Sequence, residues 1–132
     1  MAKRREKGAF NLKHLTKFLS DVNVMKQNVD NASNALGWTA TFAGFLGVPG
    51  AIVSIAALSE VVGLQVASSY LQDVINVIID GQDMINNDYC DLVEIEVTYS
   101  YYDSGLRGSK PGYFPSGAEI TRIHCGSGWM SE

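Results

Sequence analysis

Histidine and cysteine are scarce in this chain, two of each in 132 residues, and the scarcity alone removes several chemistries. Structural zinc wants four ligands at tight spacings. Here His124 beside Cys125 has only Cys90 as a further sulfur, so no metal is expected. His14 lies in a basic amphipathic stretch and reads as a surface residue rather than a general base. The glycines form neither a phosphate loop nor a dinucleotide fingerprint. Carboxylates from Glu60 onward are spread over a helix face and a strand, a pattern of solvation rather than of an acid/base pair. No enzyme activity, catalytic residue or cofactor is expected, and neither a nucleic acid nor a small-molecule substrate is expected as partner.

Charge is also thin, at 18% of residues against the usual quarter. Its distribution is uneven. In residues 1–30, Lys3, Arg4, Arg5, Lys7, Lys13, Lys17 and Lys26 outweigh Glu6, Asp21 and Asp30, a net +4. From residue 60 onward, Arg107, Lys110 and Arg122 face eleven acids, a net −8. Between Asp30 and Glu60 there is no charge at all. The apolar run begins near Ala35, too late for the hydrophobic core of a cleaved secretory signal. Residues 1–9, with the cluster KRREK, read as a basic disordered tail that could touch phosphates or anionic headgroups.

From Phe10 the pattern turns helical. Leu15, Val22, Val29 and Leu36 recur every seven residues, and Phe18, Met25 and Ala32 follow the first three at a spacing of three. A second seam runs through Leu64, Leu71, Ile78 and Ile85, with Ala67 and Val74 between. Gly81 weakens the end of that helix, and NNDYCD stops it. Folding the chain back at Pro49–Gly50 opposes Leu36 to Leu64, Val29 to Leu71, Val22 to Ile78 and Leu15 to Ile85. The expectation is a long antiparallel helical hairpin over residues 10–88 with an apolar tip at 31–59.

That tip, NASNALGWTATFAGFLGVPGAIVSIAALS, has no charged face, so a helix there must be buried in protein or lipid. Pro49 removes an amide donor and disfavours helix at Val48. Small residues Gly37, Ala40, Gly44, Gly47, Ala51 and Ser54 recur at spacings of three and four, a stripe suited to close packing of membrane helices or of a tight soluble pair. Trp38, Phe42, Phe45, Leu46 and Ile52 are the bulky apolar residues that would insert or pack.

The last third changes period. Val93, Ile95, Val97, Tyr99 and Tyr101 alternate with Glu94, Glu96, Thr98, Ser100 and Tyr102, the pattern of a strand buried on one face. DSGLRGSKPG at 103–112 is dense in turn formers, and a weaker strand follows at 117–125. Antiparallel pairing about residues 107–108 sets Ile95 against Ile120, Val97 against Ala118 and Cys90 against Cys125. The last pair invites a disulfide in an oxidising compartment. Tyr99, Tyr101, Tyr102, Tyr113 and Phe114 fill one side of a small sheet or present an aromatic surface. Residues 89–132 thus read as a β-hairpin appendage, and the fold class as α+β.

The order amphipathic helix, apolar hairpin, amphipathic helix resembles the membrane-entering core of bacteriocin-type pore formers over residues 35–66, in architecture and without a specific motif. That resemblance implies a pore-forming or bacteriocin-like effector, although the larger of those toxins shield the hairpin with many more helices than this chain has. The leading expectation is a small membrane-inserting, self-associating protein, membrane-bound or extracellular, whose partners are a lipid bilayer and further copies of itself. Two others stand beside it. One is a structural subunit of a virion, filament or other homo-oligomeric assembly. The other is a single span by residues 35–58, about 36 Å of helix, carrying a small external domain.

Overall fold

The computed structural model describes residues 3–30, 61–88, 90–103, 105, 111–126 and 128–131. In chain order these form strand β1 (Lys3–Phe10), helix α1 (Leu12–Asp30), helix α2 (Leu64–Asp88), and strands β2 (Cys90–Tyr102), β3 (Gly112–Cys125) and β4 (Gly128–Ser131). The strands make one antiparallel sheet in the order β1-β2-β3-β4. The two helices pack on one face of it. The fold is α+β, with a C-terminal β-hairpin extended by a short fourth strand.

Helix α1 starts where Asn11 caps it: the Asn11 side-chain oxygen accepts the His14 backbone N–H at 2.8 Å. Its apolar stripe, Leu15, Phe18, Val22, Met25 and Val29, is buried along the whole length. Helix α2 is preceded by Gly63 at φ 94°, a left-handed conformation that costs glycine little and separates α2 from the chain before it. Ala67, Leu71, Val74, Ile75 and Ile78 are its buried face, with Leu64 and Ile85 partly buried at its ends.

The helices run antiparallel. Gln82 Nε2 donates to Thr16 Oγ1 at 3.2 Å, Leu15 abuts Gly81, and the Asp30 carboxylate accepts from Ser68. The register is offset by two to four residues from the pairing the seams suggest, so Leu15 meets Gly81 and not Ile85. A Cβ at Gly81 would stand 3.5 Å from both Leu15 and Val93, so α1 and the sheet both reach α2 at this residue.

Three strand pairs anticipated from alternation are present: Ile95 with Ile120, Val97 with Ala118 and Cys90 with Cys125. The cysteines form a disulfide. Strand β3 begins at Gly112, earlier than residue 117, and it accommodates irregularities around Thr121 and Ser116.

Two corrections concern organisation. The basic segment 1–9 is not a disordered tail from Lys3 onward. It pairs with β2 over eight residues, from Lys3 opposite Ser100 to Phe10 opposite Val93. Without β1, that side of β2 would leave its backbone donors and acceptors unpaired. Arg5 and Lys7 also lie 4.0 and 3.7 Å from Glu96, which balances charge across the pair. Nor is the β-hairpin an appendage. Val93, Ile95, Val97, Tyr99, Tyr102 and Phe114 share one core with the helices.

Candidate functional site

The sheet fixes which end of the molecule is which. Strand β1 passes through Asn11 into α1, and α1 runs back beside α2, so Lys3, Asp30 and the start of α2 gather at one end. Lys26 reaches Asp30 at 3.2 Å there, and the Ser68 hydroxyl foremost, with Lys26, holds the Asp30 carboxyl below its usual value. Chain leaving Asp30 and chain arriving at Leu64 are thus anchored close together. The described residues on either side of the uncharged stretch 31–59 therefore lie at one end.

A single crossing of a bilayer by residues 35–58 would set the Lys-rich N-terminus and the cysteine-bearing part on opposite sides. Strand β1 is hydrogen-bonded to β2 along its whole length, so both flanks lie on the same side. That geometry does not fit a single span with an external domain. Among the described residues no helix is long and apolar enough to cross a membrane.

The same end holds an open cavity of about 500 Å³ whose polar lining is Lys3, Tyr70, Ser100, Tyr102 and Ser116. The hydroxyls form a string. Tyr102 bonds both Tyr70 and Ser100, Ser100 Oγ lies 2.7 Å from Ser116 Oγ, and Ser116 reaches the Thr98 carbonyl at 3.3 Å. Burial pushes the Tyr102 phenol above its usual value, so it remains neutral.

A second polar cluster occupies the opposite end, beside the disulfide. Glu94 is 9% exposed and alternates with core residues Val93 and Ile95, which puts it on the sheet face away from the helices. Arg122 donates to it twice, at 2.7 and 3.1 Å, and Thr121 once, at 2.7 Å. These bonds, Arg122 first, lower the Glu94 carboxyl to about 2. The Arg122 guanidinium lies 4.7 Å from the Trp129 ring centre, and His124 meets the same ring edge-on. His124 Nδ1 is 2.6 Å from Asp91, which lowers the Asp91 carboxyl. The cluster resembles acid/base machinery in composition only. The Thr121 hydroxyl and the Arg122 guanidinium are both engaged with Glu94, and the cysteines are bonded to each other. It works as a clamp joining β4 to β2 and β3. Among the described residues no three His, Cys, Asp or Glu side chains are grouped to hold a metal.

The residues assigned from sequence to insertion or packing lie outside the described residues: Gly37, Trp38, Ala40, Phe42, Gly44, Phe45, Leu46, Gly47, Pro49, Ala51, Ile52 and Ser54. So does Leu36 of the first seam. Leu15, Val22, Val29, Leu71 and Ile78 come together in the core. Sequence reasoning missed the cavity. Its members are spread from Lys3 to Ser116 and share no spacing; the pairing of β2 with β1 and β3 and the packing of α2 on the sheet assemble them. Comparison with protein-family models, curated proteins and solved structures finds no match.

Proposed function

We propose that this protein is a membrane-associating, self-associating protein in which a disulfide-bonded α+β head carries the uncharged segment 31–59 into a bilayer as a re-entrant hairpin. The observation that supports this reading is the antiparallel α1/α2 pair, which anchors both ends of that segment at one end of the head. Twenty-nine successive uncharged, largely apolar residues are poorly accommodated against water. The Cys90–Cys125 bond points to an oxidising, extracellular-type environment, so the head would sit on the outer side of the membrane it enters.

Chain length sets the depth. In such a hairpin turning at Pro49, a helical second arm of residues 51–59 would be about 14 Å long, roughly half of a ~30 Å hydrocarbon core. A deeper entry drags Glu60 into hydrocarbon at about 2.5–3.5 kcal/mol. Insertion into one leaflet avoids that cost, and packing through Gly37, Ala40, Gly44 and Gly47 would bring copies together. A pore of the bacteriocin type would then be a property of the assembled copies rather than of one chain.

Flotation with phosphatidylcholine vesicles tests the reading. Purified protein is expected to float with the lipid, and Trp38 fluorescence in a Trp129→Phe background is expected to shift to the blue. Phe45→Lys, which places a charge within the uncharged stretch, is expected to abolish both. Absence of flotation by the unaltered protein ends the proposal. Large regular particles formed without lipid would instead favour a structural subunit.

A further inference from the structure

The cavity beside Lys3 has a composition that the re-entrant segment alone does not require. Its cation is Lys3, which makes no ion pair among the described residues. Its hydroxyls are neutral donors and acceptors, with Ser100 and Tyr102 only 4% and 5% exposed. Among the described residues no carboxylate lines it, although the chain as a whole is acidic. Its remaining wall is apolar: Val61, Val62 and Val66, the first described residues after the uncharged stretch. Val61 and Val66 are exposed, at 37% and 41%.

A cation, a row of uncharged hydroxyls and an apolar wall at the root of a lipid-seeking segment match one ligand chemistry. We infer that this cavity binds the headgroup of an anionic phospholipid. Lys3 pairs with the phosphate, the Tyr70 hydroxyl donates to one of its free oxygens, and the valines lie against the glycerol and the first carbons of the acyl chains. The inference rests on the membrane reading above and adds a lipid preference to it. Position supports it: the cavity opens where chain passes from the head into the uncharged segment, at headgroup depth if that segment enters lipid. Local charge also supports it: β1 carries Lys3, Arg4, Arg5 and Lys7 against Glu6, an excess of positive charge within a chain of net −4.

The experiment compares flotation on pure phosphatidylcholine vesicles with flotation on vesicles containing about 30% phosphatidylglycerol. The composition is chosen to give a negative surface potential. Binding to the anionic vesicles is expected to be about tenfold tighter or more. A single basic residue acting only through surface potential contributes about fivefold. Lys3→Gln is therefore expected to erase the preference, whereas Arg4→Gln, the same charge change outside the cavity, is expected to lower it by no more than about fivefold. Val66→Phe, which fills the cavity without changing charge, is expected to erase it as well. Equal binding to both vesicles overturns the lipid-site inference and leaves the membrane reading standing. Equal losses in the Lys3 and Arg4 variants, or no loss with Val66→Phe, also overturn it. Lys3-dependent thermal protection by inorganic phosphate, without any vesicle preference, assigns the cavity to a soluble anion and overturns the lipid assignment. No binding to either vesicle removes both proposals.

Discussion

Phe10 and Phe18 stack with ring centres 5.2 Å apart and planes within 5° of parallel, fastening the end of β1 to the second turn of α1. Both side chains are fully buried. The contact lies just before and after the Asn11 cap, so it sets the angle at which the chain turns from sheet to helix. Phe10→Ala removes one ring and leaves a void among Leu15, Phe18 and Val93. A loss of about 3–5 kcal/mol in unfolding free energy is expected by urea denaturation. Because β1 has few other apolar anchors, hydrogen exchange should also rise selectively at Lys3–Phe10. An unchanged exchange pattern would show that cross-strand pairing holds β1 without the stack.

The Glu94–Arg122 pair makes stability depend on acid in a defined window. The Glu94 carboxyl is lowered from 4.5 to about 2 in the fold, so its contribution is fully present above about pH 4.5 and is lost as pH falls through about 2. Arg122 is 45% exposed on its side chain, and solvent screening reduces what the pair contributes, to about 1–2 kcal/mol. Glu94→Gln is expected to lose that amount at pH 7 and to differ little from the unaltered protein near pH 2. Denaturation curves at both pH values check it. A variant equally destabilised at both would mean that shape, not charge, holds Arg122.

How much of this fold can be read before it is seen depends on whether the signal is local. Ile95, Val97 and Cys90 find Ile120, Ala118 and Cys125 because alternation on two nearby segments and a turn-rich link leave few registers. Leu15 to Val29 and Leu71 to Ile78 are visible as helical stripes for the same reason. KRREKGAF shows no such pattern. It becomes a strand because β2, some ninety residues later, offers an edge and Glu96 offers a counter-charge to Arg5 and Lys7. The cavity at Lys3 inherits that invisibility. The slip of two to four residues, which sets Leu15 against Gly81, was hidden because a seven-residue repeat tolerates a shift from one seam position to the next.

Reduction of the disulfide is expected to weaken the head without abolishing it. Cys90 and Cys125 are 35 residues apart, and closing a loop of that size removes unfolded-state entropy worth about 3–4 kcal/mol. Cys90→Ser with Cys125→Ser should lower the urea midpoint by the corresponding amount while leaving far-UV circular dichroism unchanged. The Arg122–Glu94 bonds and the Phe10–Phe18 stack remain in that variant. If the doubly substituted protein is unfolded in buffer, the rest of the core contributes less than those contacts imply.

Gly81 offers a gain in the opposite direction. It is buried near the start of the last third of α2, with a φ that any residue adopts in a helix, and glycine there costs about 0.5–1 kcal/mol relative to alanine. The new methyl of Gly81→Ala would meet Leu15 and Val93 at 3.5 Å, ordinary van der Waals contact, and nothing nearer. Neither neighbour must move, so the helix term is realised and a small dispersion term adds to it. Gly81→Ala is expected to stabilise by about 0.5–1 kcal/mol in urea denaturation. Gly81→Leu has no room between α1 and β2 and is expected to destabilise by about 1–3 kcal/mol. A destabilised alanine variant would mean that α1 and the sheet stand closer to α2 than these contacts place them.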